Sequence, residues 1–402
     1  MARKLQADEW LFAATVALAL FGVVMVYSAS ADLAFAENGS QYHYVKKQAV
    51  WTVAGLLAMM AAMHFDYGWL RDRRVVAGLI AGTVVLLIAV FAFPRINGAH
   101  RWIRLPGGFR LQPSELSKLA LTIFLARFLE RRAGEENALW KTFVPCVAMT
   151  GLFVVLVAAE PDLGTAMMLG VICVVLLFAA GVRLLYLGAV GAVGVVGIVF
   201  MIMLFPWRLG RVTAFLDPWA DAQGTGFQVV QSLIAVGSGG TNGLGFAQGQ
   251  QKMLFLPFAH SDFIFAVVGE ELGLFGALAL VAVFGLFLWR GVRAARRAPD
   301  RFGMLLGLGI VVGIVAQALF NISVVLSLVP TKGIPLPFIS YGGSSMMLTL
   351  LSVGVLLNIS QQGTAQGDAG VRREFEQAGV PVATPRRERV PVTQTWRPEG
   401  RS

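Results

Sequence analysis

Long apolar runs recur along this chain, and they constrain its fold more than any other feature. The runs extend from Trp10 almost to Ser360, and each is close to the roughly 20 residues that a helix needs to cross the hydrocarbon core of a bilayer. In lipid every backbone amide and carbonyl must be hydrogen-bonded within the protein, so only helices or closed β-barrels span a membrane. Runs of this length without alternation of apolar and polar residues exclude a barrel. The sequence therefore predicts an all-α polytopic integral membrane protein.

Composition supports this prediction. Of the 402 residues, 56% are hydrophobic and only 14% are charged, a balance that excludes an ordinary soluble globular chain. The two cysteines, Cys146 and Cys173, both lie within apolar runs. This placement favours ordinary buried cysteines over a disulfide framework or a metal–thiolate site.

The runs divide the chain into ten predicted spans, and basic residues indicate their orientation. With a cytoplasmic N-terminus, the inner loops contain the densest basic segment, RGVRAARRAPDR at 290–301, as the positive-inside rule requires. An even number of spans returns the C-terminus to the cytoplasm. Residues 1–360 are predicted to form one membrane domain, and residues 361–402, which are polar and Arg-rich, a disordered cytoplasmic tail. The predicted spans are 10–31, 48–65, 75–93, 114–130, 142–160, 163–182, 184–205, 263–289, 303–328 and 344–360.

Several cations fall in segments assigned to the outer side, where topology does not require them. The chain has a formal net charge of +10. For the set, we favour an anionic ligand at headgroup depth, such as a lipid phosphate or pyrophosphate. For any single residue, contact with ordinary phospholipid headgroups is an equal alternative. The outer cations are Arg95, Arg101, Arg104, Arg110, Arg208, Arg211, Lys252 and Lys332.

The largest outer segment covers residues 206–262 and is too long for a simple connector. Its Gly-rich stretch GSGGTNGLGFAQGQQK, at 237–252, offers exposed backbone amides and ends in a lysine. It is a candidate clamp for sugar or phosphate groups. It matches neither the dinucleotide fingerprint nor the Walker loop, because no strand precedes it, so this signal is weak by itself.

Asp262 stands where the outer segment meets the predicted span that begins at residue 263. Burial against Phe263 and Phe265 would raise the pKa of this carboxyl toward a value that suits a general base. A carboxylate in this place could instead cap the following helix, and position alone does not separate the two roles. The neighbouring His260 either tunes the carboxylate or simply lies in the membrane interface.

Other ionisable residues fall within or between the spans. Glu115 and Lys118 share a helix face at a spacing of three residues, and Glu160 and Asp162 flank Pro161 between two spans. Charges at membrane depth are costly, so they are expected to be paired or to line a cavity. Together with the adjacent carboxylates Glu270 and Glu271, they favour a polar cavity that opens outward, although each could be a structural contact instead.

Several sequence motifs carry a family resemblance. The chain resembles the SEDS family of shape, elongation, division and sporulation proteins over nearly all of residues 10–360, and its division branch more than its elongation branch. The run at 330–345 is the most specific of the motifs that carry the resemblance. They are GAHRWI at 98–103, QPSELSK at 112–118, EPDLGTA at 160–166, FLDPWADAQGTGFQVVQSLIAVGSGG at 215–240, HSDFIFAVVGEELG at 260–273 and PTKGIPLPFISYGGSS at 330–345.

The resemblance implies a fold, a reaction and a location. It implies ten transmembrane helices and a peptidoglycan glycosyltransferase that polymerises lipid II outside the bacterial cytoplasmic membrane, at the division septum. The partners implied are lipid II, other division proteins and a class B penicillin-binding protein, which is a transpeptidase. A lipid II flippase and a non-catalytic scaffold for that transpeptidase are the alternatives.

The resemblance also implies roles for individual residues. Asp262 matches the family's catalytic aspartate, which would activate the 4-hydroxyl of one lipid II and expel undecaprenyl pyrophosphate with inversion. Glu115, Lys118 and Asp162 match polar positions of the family's central cavity. From charge and topology we add pyrophosphate contacts, and His260 and Ser340 complete the substrate-binding candidates. The proposed pyrophosphate contacts are Arg101, Arg211, Lys252 and Lys332.

Two residues near Asp262 depart from the usual family pattern, and one of them bears on metal binding. The acidic residue that is common after the Leu-Pro of this loop is Phe258 here, and Ser261 replaces the usual threonine. The phenylalanine removes a carboxylate near the site. The sequence contains no compact metal-ligand cluster, and no organic cofactor is expected. Mg²⁺ or Mn²⁺ held through the phosphates of the substrate, with Asp262 nearby, is the one cofactor that remains possible.

Overall fold

The computed structural model describes residues 7–96, 98–104, 106, 109–204, 206–253 and 255–377. Over these residues the chain is helical, apart from loops and one two-stranded antiparallel ribbon that pairs Ile103 with Leu111 and Arg104 with Arg110. The strands are β1 (Ile103–Arg104) and β2 (Arg110–Leu111). The helices are α1 (Glu9–Asn38), α2 (His43–His64), α3 (Arg73–Ala89), α4 (Pro113–Arg131), α5 (Val144–Ala159), α6 (Leu163–Ala180), α7 (Leu184–Met203), α8 (Pro206–Leu216), α9 (Phe227–Ser238), α10 (Ile264–Arg296), α11 (Arg301–Val325) and α12 (Ser344–Gln377).

Helices α1–α7 and α10–α12 coincide with the ten predicted spans. Within the described residues, 8 of them are long and apolar enough to cross a membrane. The other two are α2 and α4, and α4 carries the Glu115–Lys118 pair in its first turns. These findings confirm an all-helical membrane protein, while the number of spans stays a prediction.

Several helices extend past the predicted ends of the spans. Helix α1 continues to Asn38, and α10 continues through the basic segment to Arg296, because polar and charged residues can prolong a helix beyond the hydrocarbon core. Helix α12 runs to Gln377, past the predicted start of the tail at residue 361. The rest of the predicted tail, 378–402, lies outside the described residues.

Helix α11 lies at the centre of the bundle, and α7 at its edge. Helix α11 packs against α4, α6, α10 and α12, and most of its residues are buried. Helix α7 packs only against α6 and α8 among its main contacts, and Leu187 is its one buried residue. Its exposed apolar surface is that of a helix facing lipid.

Helix α10 is broken at Gly273, which has φ 65° and ψ −164°. A break at membrane depth frees backbone groups, which must find partners inside the protein. Here the Gly-rich stretch of the outer segment supplies them. The backbone hydrogen bonds run from Leu244 N to Glu270 O (3.0 Å), from Gly245 N to Glu271 O (3.0 Å), from Leu274 N to Gly240 O (2.9 Å) and from Phe275 N to Thr241 O (3.3 Å).

Two glycines of this stretch, Gly239 and Gly243, are required by that close approach. A Cβ atom at Gly243 would lie 2.2 Å from the carbonyl oxygen of Glu271, so any side chain would force the two segments apart. The amides of Leu244, Gly245 and Ala247 donate to α10 rather than to a ligand. These three amides are therefore occupied by protein acceptors, and the clamp for sugar or phosphate groups stays a prediction for the rest of the stretch.

Candidate active site

A cavity of about 760 Å³ lies between the outer segment and the membrane helices. Its walls come from the region of the β-ribbon, the start of α6, α7, α8, α9, the turn before α10, α11, the loop between α11 and α12, and the start of α12. The polar side chains on these walls belong to Arg101, Gln112, Asp162, Arg211, Gln228, Ser261, Asp262, Thr331, Lys332, Tyr341 and Ser345. The sequence placed five of them, Asp262, Asp162, Arg101, Arg211 and Lys332, among the candidate site residues.

A tight turn presents Asp262 to this cavity. Phe258 adopts φ 59°, a left-handed conformation that is rare for a bulky residue and is often found at functional sites. Its carbonyl oxygen accepts hydrogen bonds from the amides of Ser261 (3.0 Å), Asp262 (3.1 Å) and Phe263 (3.3 Å). The N-cap of α10 is Phe263, with no side-chain capping bond, so the Asp262 carboxylate is not used as a helix cap.

The loop between α11 and α12 fixes this turn from the other side. Asn321 Nδ2 donates to the carbonyl oxygens of Asp262 (2.7 Å) and Ile334 (2.8 Å), and so ties α11 to both segments. The amide of Tyr341 donates to the carbonyl oxygen of His260 at 2.9 Å. The backbone around Asp262 is therefore held in place by side chains and amides that are remote in sequence.

Ser340 and His260 have structural positions rather than places on the cavity wall. Ser340 Oγ donates to the carbonyl oxygen of Ser261 and accepts from the amide of Leu336. The ring of His260 packs against Tyr44, with centroids 4.9 Å apart, and burial lowers its pKa to about 4. The neutral imidazole does not supply a charge to the site, and neither residue lines the cavity.

The electrostatic environment of Asp262 is that of a tuned base. Burial raises the pKa of its carboxyl to about 6, and Asp162 acts in the same direction, whereas Arg101 and Arg211 oppose the increase. A carboxylate with this pKa is ionised at neutral pH and is still basic enough to accept a proton from a hydroxyl group in a transition state.

Three cations face the cavity together with Asp262. Arg101 is anchored by Nε, which donates to the carbonyl oxygen of Glu160 at 3.1 Å, and by a second bond to Pro161. Arg211 Nη1 donates to the carbonyl oxygen of Thr331 at 3.4 Å. Burial first, and then the nearby Arg101, lower the pKa of Arg211. Like charges gathered in a partly buried site are stabilised by an anion, so this arrangement favours a phosphate-bearing ligand.

Lys332 is the third cation, and it lies one residue before Gly333 in the α11–α12 loop. Its Nζ atom is 2.9 Å from the sulfur of Met167. The side chain of Arg208, another predicted outer cation, lies outside the described residues. With Arg101, Arg211 and Lys332 against the carboxylates of Asp262 and Asp162, cations outnumber carboxylates among the predicted residues on the cavity wall.

Asp162 is both a wall residue and a helix cap. Its Oδ1 accepts from the amide of Thr165 at 3.1 Å, which caps α6. Its Oδ2 accepts from the side chains of Thr165 (2.9 Å), Gln112 (3.1 Å) and Ser114 (3.3 Å). Both oxygens are therefore occupied by internal donors, and the residue shapes the wall more than it offers a reactive group.

Glu115 and Lys118 form the predicted ion pair, at 2.9 Å, but they lie beside a separate small cavity of about 40 Å³. Ser345 Oγ donates to Glu115 Oε2 at 2.7 Å, and Ser345 itself lines the large cavity. Lys118 Nζ also donates to Gln317 Oε1. The pair thus lies behind the wall of the large cavity and is connected to it through Ser345. Contrary to the prediction, it does not line the large cavity.

The structure removes Lys252 from the set of phosphate contacts. Its Nζ atom lies outside the cavity, 2.6 Å from Glu271 Oε1 and 2.9 Å from Ser28 Oγ, and the side chain is buried. Its charge is neutralised by Glu271 rather than by a ligand. Its burial could not be predicted, because nothing in the sequence shows that Ser28, on α1, contacts the outer segment.

A metal site formed by protein ligands alone is not present among the described residues, where no three His, Cys, Asp or Glu side chains gather closely enough to hold an ion. Of the two carboxylates on the cavity wall, Asp162 has both oxygens occupied by donors. Asp262 is therefore the acidic side chain best placed to share a cation with the phosphates of a ligand.

Comparisons with known proteins agree with this architecture. The family model of FtsW, RodA and SpoVE, described as a cell cycle protein, matches residues 9–365. The probable peptidoglycan glycosyltransferase FtsW of Geobacter metallireducens is 43% identical over 349 residues, which cover 86% of this chain and 92% of that protein. The stage V sporulation protein E of Bacillus subtilis is 39% identical over 360 residues, which cover 89% of this chain and 98% of that protein.

Solved structures share the fold. A chain of a peptidoglycan synthase complex, solved to explain the structural coordination of polymerization and crosslinking, matches with a TM-score of 0.72 and 29% identity, over 89% of this chain and 99% of that one. The rod shape determining protein RodA of Thermus thermophilus matches with a TM-score of 0.65 and 25% identity, over 89% of this chain and 97% of that one.

Proposed function

Because the chain belongs to the FtsW, RodA and SpoVE family of cell cycle proteins, we propose that it is a peptidoglycan glycosyltransferase that polymerises lipid II into glycan strands. The observation that carries the proposal is the meeting of Asp262 with Arg101, Arg211 and Lys332 on one cavity wall. One carboxylate that accepts a proton and several cations that receive a pyrophosphate are what such a transfer needs.

The geometry divides the reaction into two tasks. Asp262 takes the proton from the sugar 4-hydroxyl of the acceptor lipid II as that oxygen attacks the anomeric carbon of the growing chain. The bond between this carbon and the pyrophosphate oxygen breaks on the opposite face, which inverts the configuration. Arg101, Arg211 and Lys332 stabilise the negative charge that develops on the departing undecaprenyl pyrophosphate.

The size and place of the cavity fit this assignment. Its volume of about 760 Å³ lies within the range typical of sites that enclose the reacting part of a ligand. The sugars and the pyrophosphate belong in this polar space, while the polyprenyl chain stays in the bilayer beside the helices. A divalent cation bound through the pyrophosphate and Asp262 would supply further neutralisation of the leaving group.

The relatives support a cellular setting for this reaction. We place the chain in the bacterial cytoplasmic membrane, with the cavity on the outer side, and assign it to septal wall synthesis because of its likeness to proteins named FtsW. Its likeness to a chain of a synthase complex that coordinates polymerization and crosslinking supports a class B penicillin-binding protein as its partner. Lipid II and other division proteins complete the proposed set.

Polymerisation in detergent tests this function against the flippase and scaffold alternatives, because detergent micelles leave no bilayer across which lipid could be moved. Purified chain with its cognate transpeptidase is incubated with lipid II under matched Mg²⁺ or Mn²⁺ concentrations, and the products are separated by gel electrophoresis. Glycan strands from the wild type, but none from Asp262→Ala with intact partner binding, are expected. Absence of strands from a folded, partner-bound wild type would overturn the proposal in favour of the alternatives.

A further inference from the structure

The segment that carries Asp262 is closed at its base by a buried ion pair. Lys252 precedes Asp262 by ten residues, and Glu271 follows it by nine. The Nζ atom of Lys252 lies 2.6 Å from Glu271 Oε1, with side-chain exposures of 3% and 0%. Asp262 therefore stands near the apex of a loop whose two ends are joined by opposite charges.

A third helix takes part in this closure. Ser28, on α1, donates from Oγ to Glu271 Oε1 at 2.6 Å and accepts from Lys252 Nζ at 2.9 Å. The amide of Ala247 donates to Glu271 Oε2 at 3.1 Å. The pair thus connects the outer segment, the first half of α10 and α1 at a single point.

Glu270, the residue before Glu271, also binds the outer segment, but through backbone amides and without a cation. Glu270 Oε1 accepts from the amides of Gln250 (2.7 Å) and Gln251 (3.1 Å), immediately before Lys252. Glu270 and Glu271 both lie on the N-terminal side of the break at Gly273. Their contacts therefore fix the short N-terminal part of α10, the upper part, to the outer segment. That upper part begins two residues after Asp262.

Stability alone does not account for such a pair. Removing two charges from water costs about as much as their attraction returns, and apolar residues of the same volume are often equally stabilising. A buried pair does, however, impose one geometry on the groups that it joins. In a site where a displacement of about 1 Å can reduce the rate by about 100-fold, a fixed base is of direct catalytic value.

We infer that Lys252 and Glu271, bridged by Ser28, are positioning residues that hold Asp262 at its working place on the cavity wall. This role rests on the proposed function of Asp262. Neither residue contacts the cavity, so the pair acts through the backbone of 255–270 and not through the substrate. Loss of the pair therefore lowers the turnover number and leaves the Michaelis constant for lipid II nearly unchanged.

The test is the double variant Lys252→Met/Glu271→Gln, which keeps the side-chain volumes and leaves no unpaired charge. We expect kcat per folded molecule to fall by about 10- to 100-fold, with KM within about twofold of wild type. The matched control is Arg71→Met/Glu130→Gln, which neutralises an ion pair remote from the cavity and is expected to keep wild-type kcat. A merely structural role would reduce the folded fraction and leave kcat per folded molecule unchanged, and that result overturns the inference.

Two further variants keep the test decisive. Ser28→Ala removes the bridging hydroxyl and retains both charges, and we expect it to reduce kcat by about threefold or more. If the double variant does not fold and Ser28→Ala has wild-type kcat, the inference is wrong. Asp262→Asn is measured in parallel. If it stays active, the proposed base is wrong; if it is inactive while Lys252→Met/Glu271→Gln has wild-type kcat, only the positioning role is wrong.

Discussion

Gly333 lies directly against the carboxylate of Asp262: a Cβ atom at position 333 would stand 2.8 Å from Asp262 Oδ2. The same loop carries Lys332, so one short segment both supplies a cation and leaves the space that the base occupies. A side chain at the glycine of the PTKG run would therefore displace the carboxylate of the aspartate of the HSDF run, although about seventy residues separate them. Their contact links the two most informative motifs of the sequence.

Gly333→Ala is expected to displace the carboxylate and to lower the initial rate of lipid II polymerisation by about 10-fold or more, because small errors in the position of a base are costly. The measurement is the initial rate per folded molecule, with thermal unfolding followed in parallel. Gly151→Ala is the control, since a Cβ atom there meets nothing within 4 Å. An unchanged rate for Gly333→Ala would show that the carboxylate of Asp262 tolerates a Cβ atom at position 333.

The rate of polymerisation is expected to depend on pH through Asp262. Burial raises the pKa of this carboxyl from 3.8 to about 6, so the base is protonated and inactive well below that value and ionised above it. Initial rates measured from pH 4.5 to 8 should therefore rise through a midpoint near 6 and then level off. A rate that is flat down to pH 4.5 would contradict the raised pKa.

Lys332→Met is expected to remove part of the stabilisation of the departing pyrophosphate. Loss of one group that stabilises charge in a transition state typically lowers kcat by about 100- to 1,000-fold. Turnover is compared with that of Lys46→Met, which removes an exposed cation at the outer end of α2. Equal effects of the two substitutions would indicate a general electrostatic contribution and no specific role for Lys332.

The Glu115–Lys118 pair is expected to influence stability. Lys118→Met leaves Glu115 buried without its cation, and breaking such a pair costs about 3–5 kcal/mol. Glu115→Gln/Lys118→Met removes both charges and should unfold close to the wild-type temperature. Thermal unfolding in detergent distinguishes the two, and a single variant as stable as the double variant would contradict the burial of the pair.

Sequence reasoning located the helices and much of the site because both leave local signals. The apolar runs mark the membrane helices, since lipid admits few polar residues. Three of the outer cations, together with Asp262, mark the cavity. Arg101, Arg211 and Lys332 share one wall with Asp262, as expected from their common side of the membrane.

What the sequence did not reveal depends on contacts between remote segments. Lys252 resembled the other outer cations until its bonds to Glu271 and Ser28 were seen, and Ser28 is 243 residues from Glu271. The Gly-rich stretch resembled a phosphate clamp because close packing against a broken helix demands the same residue type. Asn321 was missed, although an asparagine within the apolar run of α11 was a signal that its amide had a buried partner.

The most direct test of the account is the formation of glycan strands by Asp262→Asn, which keeps the size of the side chain and removes its ability to accept a proton. Asp221→Asn makes the same change at an exposed position of the same outer segment. Both variants are assayed with lipid II and the cognate transpeptidase after folding and partner binding have been verified. If Asp262 is the base, Asp221→Asn makes normal strands and Asp262→Asn makes none above background. Strands of wild-type length and yield from Asp262→Asn would show that the base is another residue.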